Sequence, residues 1–68
     1  MTYTLYRMSN KTNKVDTVLE SINLPLMKLW ALQNTTKTKQ TRIFDDENNL
    51  IFSVIGRKES NFPKVIES

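Results

Sequence analysis

Residues 41–55, TRIFDDENNLIFSVI, decide the fold that the sequence predicts. The segments 41–45 and 50–55 are rich in β-branched and aromatic side chains, which suit a pleated sheet. Between them lie acidic and amide side chains, from Asp45 to Asn49, which favour a turn. We therefore expect an antiparallel hairpin. Its second strand is apolar at every position except Ser53, which indicates burial on both faces or contact with a partner.

The clearest helix is predicted before this hairpin, over residues 24–33 (LPLMKLWALQ). Asn23 is a suitable N-cap, and Pro25 suits the first turn, where a missing N–H costs nothing. Helical spacing places four side chains on one stripe: Leu26, Leu29, Trp30 and Gln33. Met27 and Leu32 lie off that stripe. The helix is therefore apolar around most of its circumference and should be buried on more than one side.

The N-terminal part predicts a first strand over residues 3–8 and a polar turn over residues 9–14. Asn10 and Asn13 are the candidates for left-handed backbone in this turn, because the chain contains a single glycine. Residues 15–22 carry apolar side chains at helical spacing and also suit a strand. A strand is favoured, since the first strand would otherwise lack its simplest neighbour, and a helix is the alternative.

These elements predict an α+β fold of the order ββαββ, a small antiparallel sheet with one helix packed across it. Residues 1–56 form the single domain, and residues 57–68 form a C-terminal tail that is either a docked edge strand or a flexible arm. One helix covers one face of the sheet, yet both faces carry apolar side chains. The candidates to cover the other face are the tail, a second copy in a homodimer, and a larger protein partner.

The composition excludes most catalytic chemistry. The 68 residues contain no cysteine and no histidine, so disulfides, zinc and haem sites and the usual nucleophile pairs lose their residues. The acidic run 45–49 fails the calcium-loop pattern, because Leu50 stands where that loop needs glycine and Gly56 where it needs glutamate. We therefore predict a protein that is not an enzyme and holds no metal or cofactor. No apolar run is long enough for a membrane span, and residues 1–7 lack a signal-peptide pattern, so we expect a cytoplasmic protein.

The candidates for partner binding are apolar side chains that could reach the surface: Tyr6, Met8, Met27, Trp30 and Leu32. Trp30 has two interpretations, a core anchor on the helix stripe or an interface hot spot. Met27 and Leu32 favour the interface, since they lie off the stripe and methionine adapts well to binding surfaces. Tyr6 and Met8 share one face of the first strand.

The basic residues suggest a second kind of surface. Ten Lys and Arg against seven Asp and Glu give a net charge of +3. The candidates for nucleic-acid contact are those near the ends of the hairpin: Lys37, Lys39, Arg42, Arg57 and Lys58. An antiparallel hairpin could gather them at one end, where they would contact phosphates. A solvated connector and a charged edge that blocks aggregation form the other interpretation.

Two functions fit these features. The favoured one is a small non-catalytic module that binds a larger protein and masks or modulates it. In its small size and its Asn- and Lys-rich composition, the chain resembles accessory proteins that phages and mobile elements encode, although no motif identifies a family. That resemblance implies an inhibitor of a host enzyme or defence complex. The alternative is a basic nucleic-acid-binding or transcription-regulating protein, although the predicted helix is too apolar to read a DNA groove.

Overall fold

The computed structural model describes residues 1–59 and 62–68, and confirms the predicted α+β class. The elements in these residues are β1 (Tyr3–Ser9), β2 (Val15–Ser21), α1 (Leu24–Asn34), β3 (Lys39–Phe44), β4 (Leu50–Ile55) and β5 (Lys64–Glu67). The five antiparallel strands form one sheet in the order β2-β1-β3-β4-β5, and the helix packs across it. The predicted order ββαββ is therefore extended by a fifth strand.

The ambiguous segment after the first turn is a strand, β2, paired with β1 in the register Tyr3↔Ser21 and Leu5↔Leu19. The segment forms a strand despite its helical spacing because the turn places it next to β1, with which it pairs. Asn13 takes left-handed backbone there, with φ 58°. Asn10 does not, and its backbone N–H instead donates to the carbonyl of Thr38 at 2.9 Å.

Helix α1 begins as predicted, with the backbone N–H of Leu26 donating to Oδ1 of Asn23 at 3.1 Å. The expectation that the helix is buried on more than one side is wrong, because Leu26 and Leu29 are 58% and 49% exposed. The side chains buried against the sheet are Met27 and Ala31, one turn apart. Ala31 has no bulk beyond its Cβ, so the helix can approach the strands closely on that side.

The core lies between α1 and the middle of the sheet. Leu5, Ile43 and Phe52 form a cross-strand row on β1, β3 and β4, in the register Leu5↔Ile43↔Phe52. Val54 lies on the same face of β4, two residues beyond Phe52. Met27 and Ala31 complete this cluster from the helix.

The acidic and amide residues 45–49 turn the chain between β3 and β4, with Asn48 at φ 64°.

A polar connector over residues 35–38 joins α1 to β3, which begins at Lys39. Gly56 lies against this connector. Its backbone N–H donates to the carbonyl of Lys39 at 2.9 Å, and a Cβ at residue 56 would lie 1.7 Å from the carbonyl oxygen of Thr36. The single glycine is therefore required for a close backbone approach rather than for a turn.

The C-terminal tail contributes β5, which pairs with β4 in the register Val54↔Val65 and Ser53↔Ile66. Residues 64–67 of the tail therefore form a docked edge strand, which was one of the two alternatives. Residues 60 and 61 lie outside the described residues. Lys28 of α1 forms an ion pair with Glu67, which connects the helix to this strand. No helix in the described parts of the chain is long and apolar enough to cross a membrane.

Candidate functional site

An exposed apolar surface extends from β2 onto the outer side of α1. We call it the α1–β2 surface, and it consists of Leu19, Ile22, Leu26, Leu29 and Trp30. Ile22 is 79% exposed, the most of these side chains. A groove of about 160 Å³ runs through the surface, lined by Leu19, Leu26, Trp30, Met27, Glu20 and Ser21. The groove is therefore mainly apolar, with Glu20 as its one charged residue.

The groove exists because α1 does not reach the edge of the sheet. The helix contacts β1, β3 and β4, whereas β2 is the first strand of the sheet order. Leu19 pairs with the buried Leu5 and lies on the helix side of the sheet, yet it remains exposed. A gap between the helix and the edge strand is the consequence, with apolar walls on both sides.

Trp30 lies at the boundary between the core and this groove. Its side chain is half-buried and packs against the core, and the guanidinium of Arg7 lies 5.6 Å from its ring centroid. Arg7 also donates through Nη1 to the carbonyl of Asn34 at 3.3 Å, and Asn34 donates through Nδ2 to the carbonyl of Trp30 at 2.9 Å. These contacts fix one wall of the groove relative to β1.

Asp16 holds Arg7 in this position. It is the extra residue of a β-bulge, since Arg7 pairs with Thr17 while Met8 pairs with Val15. Its carboxylate accepts hydrogen bonds from Lys39 Nζ at 2.7 Å, Arg7 Nε at 2.9 Å and Thr17 Oγ1 at 2.8 Å. These bonds, with Lys39 first in importance, hold the pKa of Asp16 well below its usual range.

The lowered pKa of Asp16 predicts an acid-dependent loss of stability. Below pH about 4, the usual pKa of an aspartate, the unfolded chain takes up a proton that the folded carboxylate does not accept. The contribution of Asp16 to the free energy of unfolding is therefore complete above that pH and declines as the pH falls. We expect Asp16→Asn to lower the free energy of unfolding at pH 7 and to make it fall less steeply between pH 5 and pH 2. Urea unfolding at each pH measures both effects.

The matched control is Asp46→Asn, which removes an exposed carboxylate from the β3–β4 turn. The free energy of unfolding of this variant should fall with pH as steeply as that of the parent protein. If the free energy of the Asp16→Asn protein fell equally steeply, the structural role of the ion pairs would be contradicted.

The predicted partner-binding residues do not form one surface. Met27 belongs to the core and lines the inner side of the groove, whereas Met8 is buried on the sheet face opposite α1. Tyr6 is half-buried on that opposite face, where its ring meets Phe44 edge-on at 5.8 Å. Trp30 and Leu32 alone reach the outer side of the helix, Trp30 at the groove and Leu32 next to Leu29.

Sequence reasoning missed the larger part of the α1–β2 surface. Leu19, Ile22, Leu26 and Leu29 were not candidates, although they recur every three or four residues along the chain. The signal that could have found them is Ala31, a small side chain that marks the close-packed side of a helix and so places the leucines opposite.

The predicted basic residues are also separated. Lys39 is paired with Asp16, Arg42 donates to Oε1 of Gln40 at 3.3 Å, and Arg57 donates to the carbonyl of Phe62 at 3.2 Å. Lys37 and Lys58 do come together, in a cavity of about 360 Å³ at one end of the sheet. A third lysine, Lys11, joins them there and was not a candidate from the sequence.

The acidic turn is held by its own hydrogen bonds. Asp45 accepts from the backbone N–H groups of Glu47 and Asn49, both at 2.9 Å, which lowers the pKa of its carboxyl group. Within residues 1–59 and 62–68, no group of three or more acidic side chains is arranged to hold a metal ion. The turn therefore has a clear structural role in closing the hairpin.

Comparison of the chain with protein-family models, with curated proteins and with solved structures found no match.

Proposed function

We propose that this protein is a small non-catalytic module that binds a larger protein through the α1–β2 surface. The observation that carries the proposal is the apolar groove lined by Leu19, Leu26 and Trp30, on a helix whose outer side also exposes Leu29. Contiguous apolar surface of this kind is costly in water and is typical of protein-interaction sites. Binding would mask a surface of the partner, so inhibition of that partner is the activity we propose.

The absence of charge on this side of the helix supports an apolar partner. Lys28 is the one charged residue of α1, and it points elsewhere, pairing with Glu67 and lying 5.3 Å from the ring centroid of Phe52. The outer positions are instead Leu26, Leu29, Leu32 and Gln33. None of the described residues that line the groove is a cation that could pair with a phosphate, whereas its apolar walls could accept an apolar protein segment.

The edge position of β2 specifies the form of the partner segment. In the described sheet β2 pairs with β1 on one side, which leaves its other side for a further strand. An extended segment of the partner could pair with β2 while its apolar side chains enter the groove between Leu19 and Leu26. We therefore propose an extended, apolar segment of a larger protein as the occupant.

Replacement of the two central leucines should abolish partner binding. In Leu26→Glu/Leu29→Glu, two carboxylates would be buried against the apolar segment without counter-charges. We expect the affinity to fall by about 100-fold or more, the loss typical of interface hot spots. The partner is first isolated by pull-down with nuclease present, identified by mass spectrometry, and then titrated as a purified protein against each variant by calorimetry.

The control is Gln33→Glu, which places one negative charge on the same exposed side of α1 without removing an apolar side chain. It should retain most of the affinity, and circular dichroism should show both variants folded. Equal affinity of the double variant and the parent would contradict the proposal.

Sedimentation velocity provides a further test, because a dimer that the leucine replacements dissociate would identify a second copy as the occupant. Loss of all captured protein after nuclease treatment would favour the nucleic-acid alternative.

A further inference from the structure

A cavity at one end of the sheet gathers three lysines from distant parts of the chain. We call it the three-lysine cavity: Lys11 comes from the β1–β2 turn, Lys37 from the α1–β3 connection, and Lys58 from the segment after β4. The remaining lining residues are Ser9, Asn10, Thr38 and Gly56. None of these residues belongs to the α1–β2 surface, so the cavity is a separate feature of the molecule.

Hydrogen bonds tie the three segments together beneath the lysines. The backbone N–H of Asn10 donates to the carbonyl of Thr38 at 2.9 Å, and Asn10 Nδ2 donates to the carbonyl of Gly56 at 3.0 Å. Gly56 in turn donates its N–H to the carbonyl of Lys39 at 2.9 Å. The lysines therefore extend from a floor whose backbone positions are fixed by these bonds, although they are far apart in sequence.

The charge of the cavity is uncompensated. None of its described lining residues is an aspartate or glutamate, and the ion pairs found in the described residues involve Arg7, Lys28 and Lys39 rather than its three lysines. Three like charges on residues that line one concavity repel each other, and an anion bound among them would relieve that repulsion. The lining also lacks the carboxylates that a metal ion would require.

Neutral donors accompany the lysines. The hydroxyl of Ser9 accepts from the backbone N–H groups of Lys11 and Thr12, at 3.2 Å and 3.4 Å, so its own proton is left to be donated. The side-chain amide of Asn10 has a second N–H beyond the one used on Gly56. Positive charge with hydroxyl and amide donors is the combination that recognises phosphate oxygens.

We propose that the three-lysine cavity binds the phosphate group of a small organic phosphate. Its volume of about 360 Å³ lies at the small end of the range for small-molecule sites, enough for a phosphate with a compact organic part. A nucleic-acid track fits less well. The other predicted basic residues do not line this cavity, since Lys39 is paired with Asp16 and Arg42 lies within the sheet at the position opposite Tyr6.

The test is a titration of the ¹⁵N-labelled protein with inorganic phosphate, ribose 5-phosphate, ribose and a single-stranded oligothymidylate. Inorganic phosphate and ribose 5-phosphate should shift the amide signals of Asn10, Thr38 and Gly56, and ribose should not. In Lys37→Gln/Lys58→Gln the affinity for ribose 5-phosphate should fall about tenfold or more, because two charged contacts are lost. Both side chains are exposed, so the fold should survive, and the thermal unfolding midpoint checks this.

The control is Lys64→Gln, which removes one lysine charge from an exposed site on β5. It should leave the affinity for ribose 5-phosphate unchanged, and an equal loss in this variant would show diffuse attraction and overturn the proposal. Absence of shifts with both phosphates would also overturn it. The cavity would be assigned to nucleic acid instead if oligothymidylate bound far more tightly than ribose 5-phosphate and its affinity fell steeply with salt. For a single strand, the logarithm of the affinity falls with the logarithm of the salt concentration by about 0.7 for each phosphate contacted.

Discussion

Replacement of Gly56 by alanine is expected to unfold much of the protein at room temperature. A Cβ at this position would lie 1.7 Å from the carbonyl oxygen of Thr36 and 2.8 Å from that of Lys39. Both atoms belong to the backbone, so no side-chain rotation relieves the clash. The connection between α1 and β3 would have to move away from the end of β4. We expect a cost of about 3 kcal/mol or more, the upper range for overpacking.

A cost of that size is large for this chain, because a core in a domain of this length rarely supplies more than about 3–5 kcal/mol. Urea unfolding followed by circular dichroism measures the effect. Arg57→Ala is the control, since it places an alanine at the next, exposed position and should change the free energy of unfolding by under about 1 kcal/mol. A stable Gly56→Ala protein would mean that the α1–β3 connection does not pack against Gly56 in solution.

Truncation of Ile43 to alanine should have the next largest effect. Ile43 is fully buried on the central strand β3, between Leu5 on β1 and Phe52 on β4. Close neighbours on both sides leave the core little freedom to collapse into the space of the lost atoms. The expected loss is about 2–5 kcal/mol, which corresponds to a fall in the unfolding midpoint of roughly 10–30 °C.

Ile66→Ala provides a control with the same chemical change on the edge strand β5, where the side chain is 44% exposed. This variant should lose less than about 1 kcal/mol. Differential scanning calorimetry on the two proteins gives the comparison directly. Equal losses at Ile43 and Ile66 would show that the core does not centre on the Leu5–Ile43–Phe52 row.

Residue types alone predicted the elements whose signals are local. The hairpin of β3 and β4 follows from two β-rich segments around acidic and amide turn residues, and the start of α1 follows from Asn23 before Pro25. The exclusion of disulfides and of histidine chemistry also follows from composition, since it needs no coordinates. Each of these inferences depends only on a few adjacent residues or on residue counts, and therefore needs no knowledge of the packing.

The outer side of α1 could not be predicted in the same way. The helix is apolar around most of its circumference, so its hydrophobic periodicity does not distinguish the buried face from the exposed one. Packing selects Met27 and Ala31, which let the helix approach the sheet, and leaves Leu26 and Leu29 in water. The sequence therefore named Met27, which lines the groove from the core side, but did not single out the exposed Leu26 and Leu29 as candidates.

By itself, the sequence determined the class of this protein, an α+β domain with a capped helix, a hairpin and no residues for disulfide or histidine chemistry. Tertiary structure alone decided which surfaces it offers. The groove between β2 and α1 depends on how far the helix reaches across the sheet, and the three-lysine cavity brings together Lys11, Lys37 and Lys58. Such features arise from contacts between residues that are distant along the chain, whereas composition and periodicity report only on neighbours.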